Sequence, residues 1–262
     1  MMKIDTLKLI SIPVLAGVLG ILWSLEAIVP LFSLPKNRWL HARRNLSLAA
    51  MALVVNTGMG FMTMHLLQFA KERHFGLLQW LHLPIWAILA ISFLFIDLLT
   101  YGWHVLSHHV PFLWRFHQVH HTDIYLDVSS SLRNHPLEGV FQVAAQALVL
   151  PLLGVPYFAY FIYYFVSSPW VMFAHANVRL PAWLERNMSL VFVTPNWHKV
   201  HHSASMPETN SHYGALFSVW DRLFKTAPRP DLRHFQYGLE YFRKDKFQAV
   251  KSLLVMPFWK KR

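Results

Sequence analysis

The 262-residue sequence contains no cysteine, which excludes disulfides, thiolate metal sites, cysteine-ligated iron–sulfur clusters and cysteine nucleophiles. Charge is scarce as well: 14% of residues are charged against 55% hydrophobic, outside the usual balance of a soluble domain. Acidic residues are the scarcest part of that charge, 13 against 24 Lys and Arg, for a formal net charge of +11. The excess sits in short segments beside apolar stretches and in the C-terminal tail, so anionic lipid headgroups account for it and no nucleic-acid partner is expected. There is no glycine-rich flavin or nicotinamide fingerprint and no haem attachment motif. Any metal must therefore sit on nitrogen or oxygen, and redox chemistry would need electrons from elsewhere.

Long apolar runs are what the chain has instead. Leu9 to Leu34 carries one charged residue, Glu26, and is long enough to cross a hydrocarbon core of about 30 Å as a helix. It runs past Pro30 without a small-residue cleavage site, so it reads as a retained span and not a cleaved leader. Asn45 to Ala70 is a second span and Leu83 to Ser107 a third, with Asp97 near its middle. Val140 to Leu153 and Pro156 to Phe173 form an apolar hairpin that either crosses or re-enters, its first half being short for an untilted crossing. Lys36, Arg38, Arg43 and Arg44 precede the second span, against Lys71 and Arg73 after it, which puts the first loop in the cytoplasm. The expected organisation is 1–97 for the N-terminal spans, 98–226 for a histidine-rich unit containing the hairpin 140–173, and 227–262 for a basic segment on the membrane surface.

Seventeen histidines are many for this length, and they are unevenly placed. His104 and His108 are four apart; His117, His120 and His121 repeat the pattern His-x-x-His-His, as do His198, His201 and His202. One such pattern is expected by composition roughly 0.07 times, so two copies are not accidental. Spacings of three and four put the imidazoles on one helix face, from which they can converge on a metal. Imidazole suits iron, copper, zinc or nickel, and eight ligands exceed what one ion takes, which points to two metals. Asp97, Tyr101, His104 and His108 follow steps of four, three and four, so Asp97 either orients a ligand imidazole or makes an inter-helix hydrogen bond. His41, His65, His74, His82 and His234 stand alone and read as surface or packing residues; His109 points off the ligand face.

Six segments carry a family resemblance. They are Trp103–His108, Leu113–His121, Leu132–Glu138, His175–Asn177, Thr194–Ser203 and Val219–Phe224, and in this order they resemble the sterol desaturase and fatty acid hydroxylase superfamily from about Leu98 to Thr226. The resemblance implies an all-α integral-membrane bundle, three spans plus the hairpin, with a cytosolic histidine-lined cap. It also implies two iron ions and O2-dependent hydroxylation or desaturation of a lipid or sterol-like substrate, with electrons from a separate electron-transfer protein. Nine ligands match: His104, His108, His117, His120, His121, His175, His198, His201 and His202. His135, in an Arg-x-His-Pro element, is implied as a tenth ligand or as a partner of one. Two positions depart: Asn196 stands where bacterial relatives tend to carry Asp, and His212 where they carry Asn. A bacterial inner membrane with the site facing the cytoplasm is the expected location. A membrane metal transporter would place its ligands near the bilayer midplane on broken spans, which this pattern does not do; an inactive scaffold would not need the full ligand set.

Overall fold

Prolines, caps and one glycine divide the chain into helices, and the computed structural model describes residues 4–228 and 235–259, with side chains from residue 12 onward. Helix α1 (Ile4–Ile28) stops ahead of Pro30. Asn37 caps α2 (Arg38–Glu72), its Oδ1 accepting the Leu40 N–H at 3.0 Å. With 35 residues, α2 is about 50 Å long, longer than a hydrocarbon core of about 30 Å. A short turn, α3 (Leu77–Trp80), leads into α4 (Ile85–His109). Pro111, suited to a first helical turn, restarts the chain as α5 (Pro111–His121). A 3-10 turn at Val128–Leu132 precedes α6 (Pro136–Leu153) and α7 (Tyr157–His175). The remainder is made of short helices: α8 (Ala182–Met188), α9 (Pro195–His201), α10 (Met206–Thr209), α11 (Val219–Leu223) and α12 (Val250–Val255). Among the described residues the only strand-like pairings are three isolated bridges.

Three helical stretches, Arg38–Trp80, Ile85–His109 and Pro136–Leu153, are long and apolar enough to cross a membrane, and Ile12–Ile28 is a shorter apolar helix. The hairpin is longer than the sequence suggests, because α6 begins at Pro136. Its tip, Gly154 at φ 82°, lies so close to Gly76 that a Cβ on Gly76 would come within 2.4 Å of the Gly154 Cα. Gly76 follows the end of α2, so the hairpin runs the length of the bundle, from the histidines to the opposite end. Met64 and Leu67 of α2, Ile96 of α4, Leu150 of α6 and Tyr157, Tyr160 and Tyr163 of α7 form the core between the spans.

Buried polar groups tie the bundle to the short helices. Glu26, the charge in the first span, is fully buried; it accepts the Val128 and Asn177 N–H groups, each at 2.7 Å, and pairs with Arg38. The C-terminal segment is more than a surface layer: Leu253 and Met256 pack with Leu48 of α2 and Val119 of α5.

Candidate metal centre

Each histidine-bearing helix ends at the same end of the bundle, and that is why residues far apart in sequence meet. His104 and His108 lie in the last turns of α4, His117 to His121 in the last turns of α5, and His175 closes α7. On α9, Thr194 accepts the Trp197 N–H and Pro195 begins the helix, so His198 and His201 follow within two turns.

The nine imidazoles separate into two groups: His104, His108, His117, His121 and His201 in one, and His120, His175, His198 and His202 in the other. Within each group the ligand atoms lie within 4.8 Å of one another. The i, i+4 pair of each His-x-x-His-His motif stays together, while the third histidine crosses to the other group. His120 leaves His117 and His121 to join the α9 pair; His201 leaves His198 and His202 to join the α5 pair. Many Nε2 atoms face each other directly, His104 and His121 each at 3.1 Å from His117, and His175 at 3.1 Å from both His120 and His198. That is the edge spacing of imidazoles sharing one ion through bonds of about 2.1 Å.

For five of the nine, the opposite ring nitrogen explains why Nε2 points inward, whereas Nδ1 of His120, His121, His198 and His202 has no partner among the described residues. Nδ1–H of His104 donates to the Tyr213 carbonyl at 2.7 Å, that of His175 to Val171 at 2.7 Å and that of His201 to Ser211 at 2.7 Å. His108 donates to Asn210 Oδ1 at 3.1 Å and His117 to Glu138 Oε1 at 2.6 Å. Such partners fix tautomer and ring orientation, the arrangement that metal-binding histidines use. Nε2 of His108 and of His201 is then left buried with no partner among the described residues, an atom wanting a metal. Burial, reinforced by neighbouring imidazoles, holds His120, His121, His198, His201 and His202 well below the usual histidine pKa, so they are neutral and their lone pairs are free. The donor set fits two nitrogen-loving ions.

Other expected site residues sit elsewhere. His135 is the N-cap of α6: its Nδ1 accepts the Leu137 N–H at 3.2 Å and its Nε2–H donates to the Leu254 carbonyl at 3.1 Å. Both nitrogens are engaged, and His135 stands outside the two histidine groups, as the residue that caps α6. Asp97 touches no imidazole; it accepts from Tyr163 at 2.8 Å and from Trp220 at 2.7 Å, which is the inter-helix alternative. His109 stays outside both groups, 3.1 Å from the Tyr213 hydroxyl. His65, His74 and His82 are exposed, and His234 lies outside the described residues.

Three features escaped sequence reasoning. Glu138 lies in the first turn of α6, and nothing in its spacing tells that it reaches His117. His41 is buried between Asp123, at 2.8 Å, and Asp127, at 3.1 Å. Asn45, four residues further along the same helix face, was the available signal. Fully buried Arg133 completes this network, donating to the Val119 carbonyl, Asn45, Thr122 and Gln248. Burial would raise the Asp123 pKa, but the charges of His41 and Arg133 prevail and hold it below the usual carboxylate range. His212 lies outside both histidine groups: it hydrogen-bonds Ser211 at 2.7 Å, its ring packs edge-on against Trp197, and its φ of 55° is a left-handed conformation that Asn and His tolerate.

A cavity of about 700 Å³ leads from the histidines into the bundle. His104 and His117 of the first group and His120, His175 and His198 of the second border it, and Leu15, Leu19, Leu46, Leu53 and Met172 make its walls apolar. Tyr163 and Tyr164 represent the aromatic hairpin there, whereas Tyr157 belongs to the core between the spans.

Comparison with known proteins agrees with this geometry. The chain is 31% identical over 160 residues to the ornithine lipid hydroxylase OlsE of Rhizobium tropici, covering 60% of this chain and 46% of that one. It is 28% identical over 177 residues to the alkylglycerol monooxygenase of Danio rerio, covering 64% and 36%, and 30% identical over 147 residues to a cholesterol 25-hydroxylase-like protein of the same organism, covering 54% and 55%. The matched part is thus about half or less of each relative. No solved structure matches. The Fatty acid hydroxylase family profile matches residues 89–226, the stretch that supplies all nine clustered histidines, and the chain belongs to that family.

Proposed function

We propose that this chain is a membrane di-iron oxygenase that hydroxylates a lipid, consuming O2 and two electrons from a separate electron-transfer protein. The observation that carries the reading is that two groups of buried imidazoles border one apolar cavity. Two iron ions held by His104, His108, His117, His121 and His201 and by His120, His175, His198 and His202 would supply the activation of dioxygen that an unactivated aliphatic C–H bond requires. The balance is one C–H bond and O2, with two electrons and two protons, giving one C–OH group and one water.

The protein's own side chains do the rest. Glu138, Asn210 and the carbonyls of Tyr213, Val171 and Ser211 hold the imidazoles in register. Leu15, Leu19, Leu46 and Leu53 take up an aliphatic chain and exclude water from the histidines. Relatives named as hydroxylases and a monooxygenase favour oxygen insertion over desaturation, and ornithine lipid, alkylglycerol and cholesterol in those names share a large apolar body. The basic residues Lys36, Arg38, Arg43 and Arg44 support a cytoplasmic site in a bacterial inner membrane.

Metal analysis of protein purified anaerobically from iron-replete cells is expected to give two irons per chain. Iron binding that saturates at one ion or fewer per chain when iron is supplied in excess, with no other metal making up the difference, overturns the two-metal site. Lipid profiling of a deletion strain against its complemented strain is expected to show one lipid class losing a species heavier by one oxygen atom; identical profiles under aerobic growth count against hydroxylation.

A further inference from the structure

Helix α4 packs on α7 and α2 on α6, but α4 and α6 meet only sparsely. Between them lies a second cavity of about 560 Å³, walled by Leu99 and Leu106 of α4 and Ala145 and Val149 of α6. Phe224, stacked on Tyr101 at 5.4 Å, contributes to the same groove. Gly102 belongs to the wall too, and a Cβ built on it meets nothing within 4 Å, so the glycine leaves free a volume that a side chain would fill. Trp103 and Gln142 border both this groove and the cavity beside the histidines, so the two spaces are separated by a layer one side chain thick.

Two donors in this wall lack acceptors. Trp103 Nε1 and Gln146 Nε2 are shut off from solvent and have no partner among the described residues. The Gln146 oxygen is already engaged, accepting from the Tyr164 hydroxyl at 2.7 Å, which leaves the amino end free. Donors left unpaired in apolar surroundings are costly, and between helices that cross a membrane the abundant source of an acceptor is lipid. Both flanking helices are of that kind.

We propose that the groove between α4 and α6 is a second lipid site, holding one acyl chain of a bilayer lipid. The aliphatic walls take the chain, and its ester or amide carbonyl accepts from Trp103 and Gln146. Water would satisfy the donors but not the walls, whereas an acyl lipid satisfies both. Because Trp103 adjoins His104, an occupied groove also presses on the partition beside the metal centre; this consequence, unlike the groove itself, rests on the hydroxylase reading.

The test uses the full-length protein in proteoliposomes doped with an acyl phospholipid carrying a mid-chain diazirine, photolysed and mapped by peptide mass spectrometry. Adducts are expected on the stretches 98–106 and 145–149. Gly102→Phe, which fills the groove, is expected to lower them by about tenfold or more, and Trp103→Phe, which keeps a ring but removes the donor, by about threefold to tenfold. Iron content serves as the folding control; should Gly102→Phe lose its metal, Leu106→Trp fills the same groove from a position 48% exposed. Adducts unchanged in the filled variants, or confined to Leu15, Leu19 and Leu53 of the other cavity, overturn the proposal. The readout needs no turnover, so a labelled groove in a protein that oxidises no lipid upholds the site and counts against the hydroxylase reading alone.

Discussion

Glu138 and His212 show how single side chains near the metal centre differ in what they do. The Glu138 carboxylate holds His117 through a 2.6 Å hydrogen bond, and its loss should weaken the site without unfolding the chain. Glu138→Gln is expected to lower iron affinity by about 10- to 100-fold, as partners of ligand histidines commonly do, read as iron retained under a chelator titration. His212, by contrast, acts through protonation. Burial, with the Arg222 charge beside it, lowers its pKa from 6.5 to about 4. The unfolded chain therefore takes up a proton on this residue before the native one does, so its contribution is present above about pH 6.5 and is lost as pH falls toward about 4, amounting to roughly 3 kcal/mol at most. His212→Asn, which keeps a residue suited to φ 55°, is expected to flatten the melting-temperature profile over that window relative to wild type. Equal profiles would show that the ring is free to protonate in the native state.

At the scale of elements, the N-terminal part of α2 carries the polar network that seats α5. Arg133 reaches the Val119 carbonyl of α5, Asn45 of α2 and Gln248 of the C-terminal segment, with Asp123 and His41 beside it. Removing one partner of a buried charged network leaves the others uncompensated, so Arg133→Met is expected to cost about 3–5 kcal/mol, measured as a fall in thermal stability in detergent, with iron lost in parallel. Hydropathy made the long apolar helices legible and the His-x-x-His-His spacing made legible which histidines the fold brings together, because both are local patterns. The division of ligands was not legible: that His120 parts from His117 and His201 from His198 depends on how α5 and α9 face one another across the site. Nor was the fate of Asp97, since spacing placed it on the histidine face of α4 while its partners come from α7 and α11. The cap made by His135 was not legible either, because a motif shared with a family does not tell that its side chain starts the next helix.

For the whole molecule, the bridge between Pro30 and Val178 and the contact between Gly76 and Gly154 mark opposite ends of the bundle. The histidines lie at the first of these ends. If the basic first loop is cytoplasmic, single cysteines introduced into the cysteine-free chain at the exposed positions Ser33 and Ser205 are expected to resist an impermeant thiol reagent in intact cells, while Arg73→Cys labels. Labelling of Ser205→Cys with protection of Arg73→Cys would put the site outside and remove a soluble cytosolic electron donor from consideration.

The exchange of one histidine between α5 and α9 has a consequence for how the centre fills. Each helix supplies both groups, so ordering α5 around the first ion also sets His120 for the second, and ordering α9 around the second also sets His201 for the first. If the two groups hold two ions, loading is expected to be cooperative and half-filled molecules rare. A preparation averaging one iron per chain would be a mixture of empty and complete proteins, and its activity per iron would equal that of a fully loaded one.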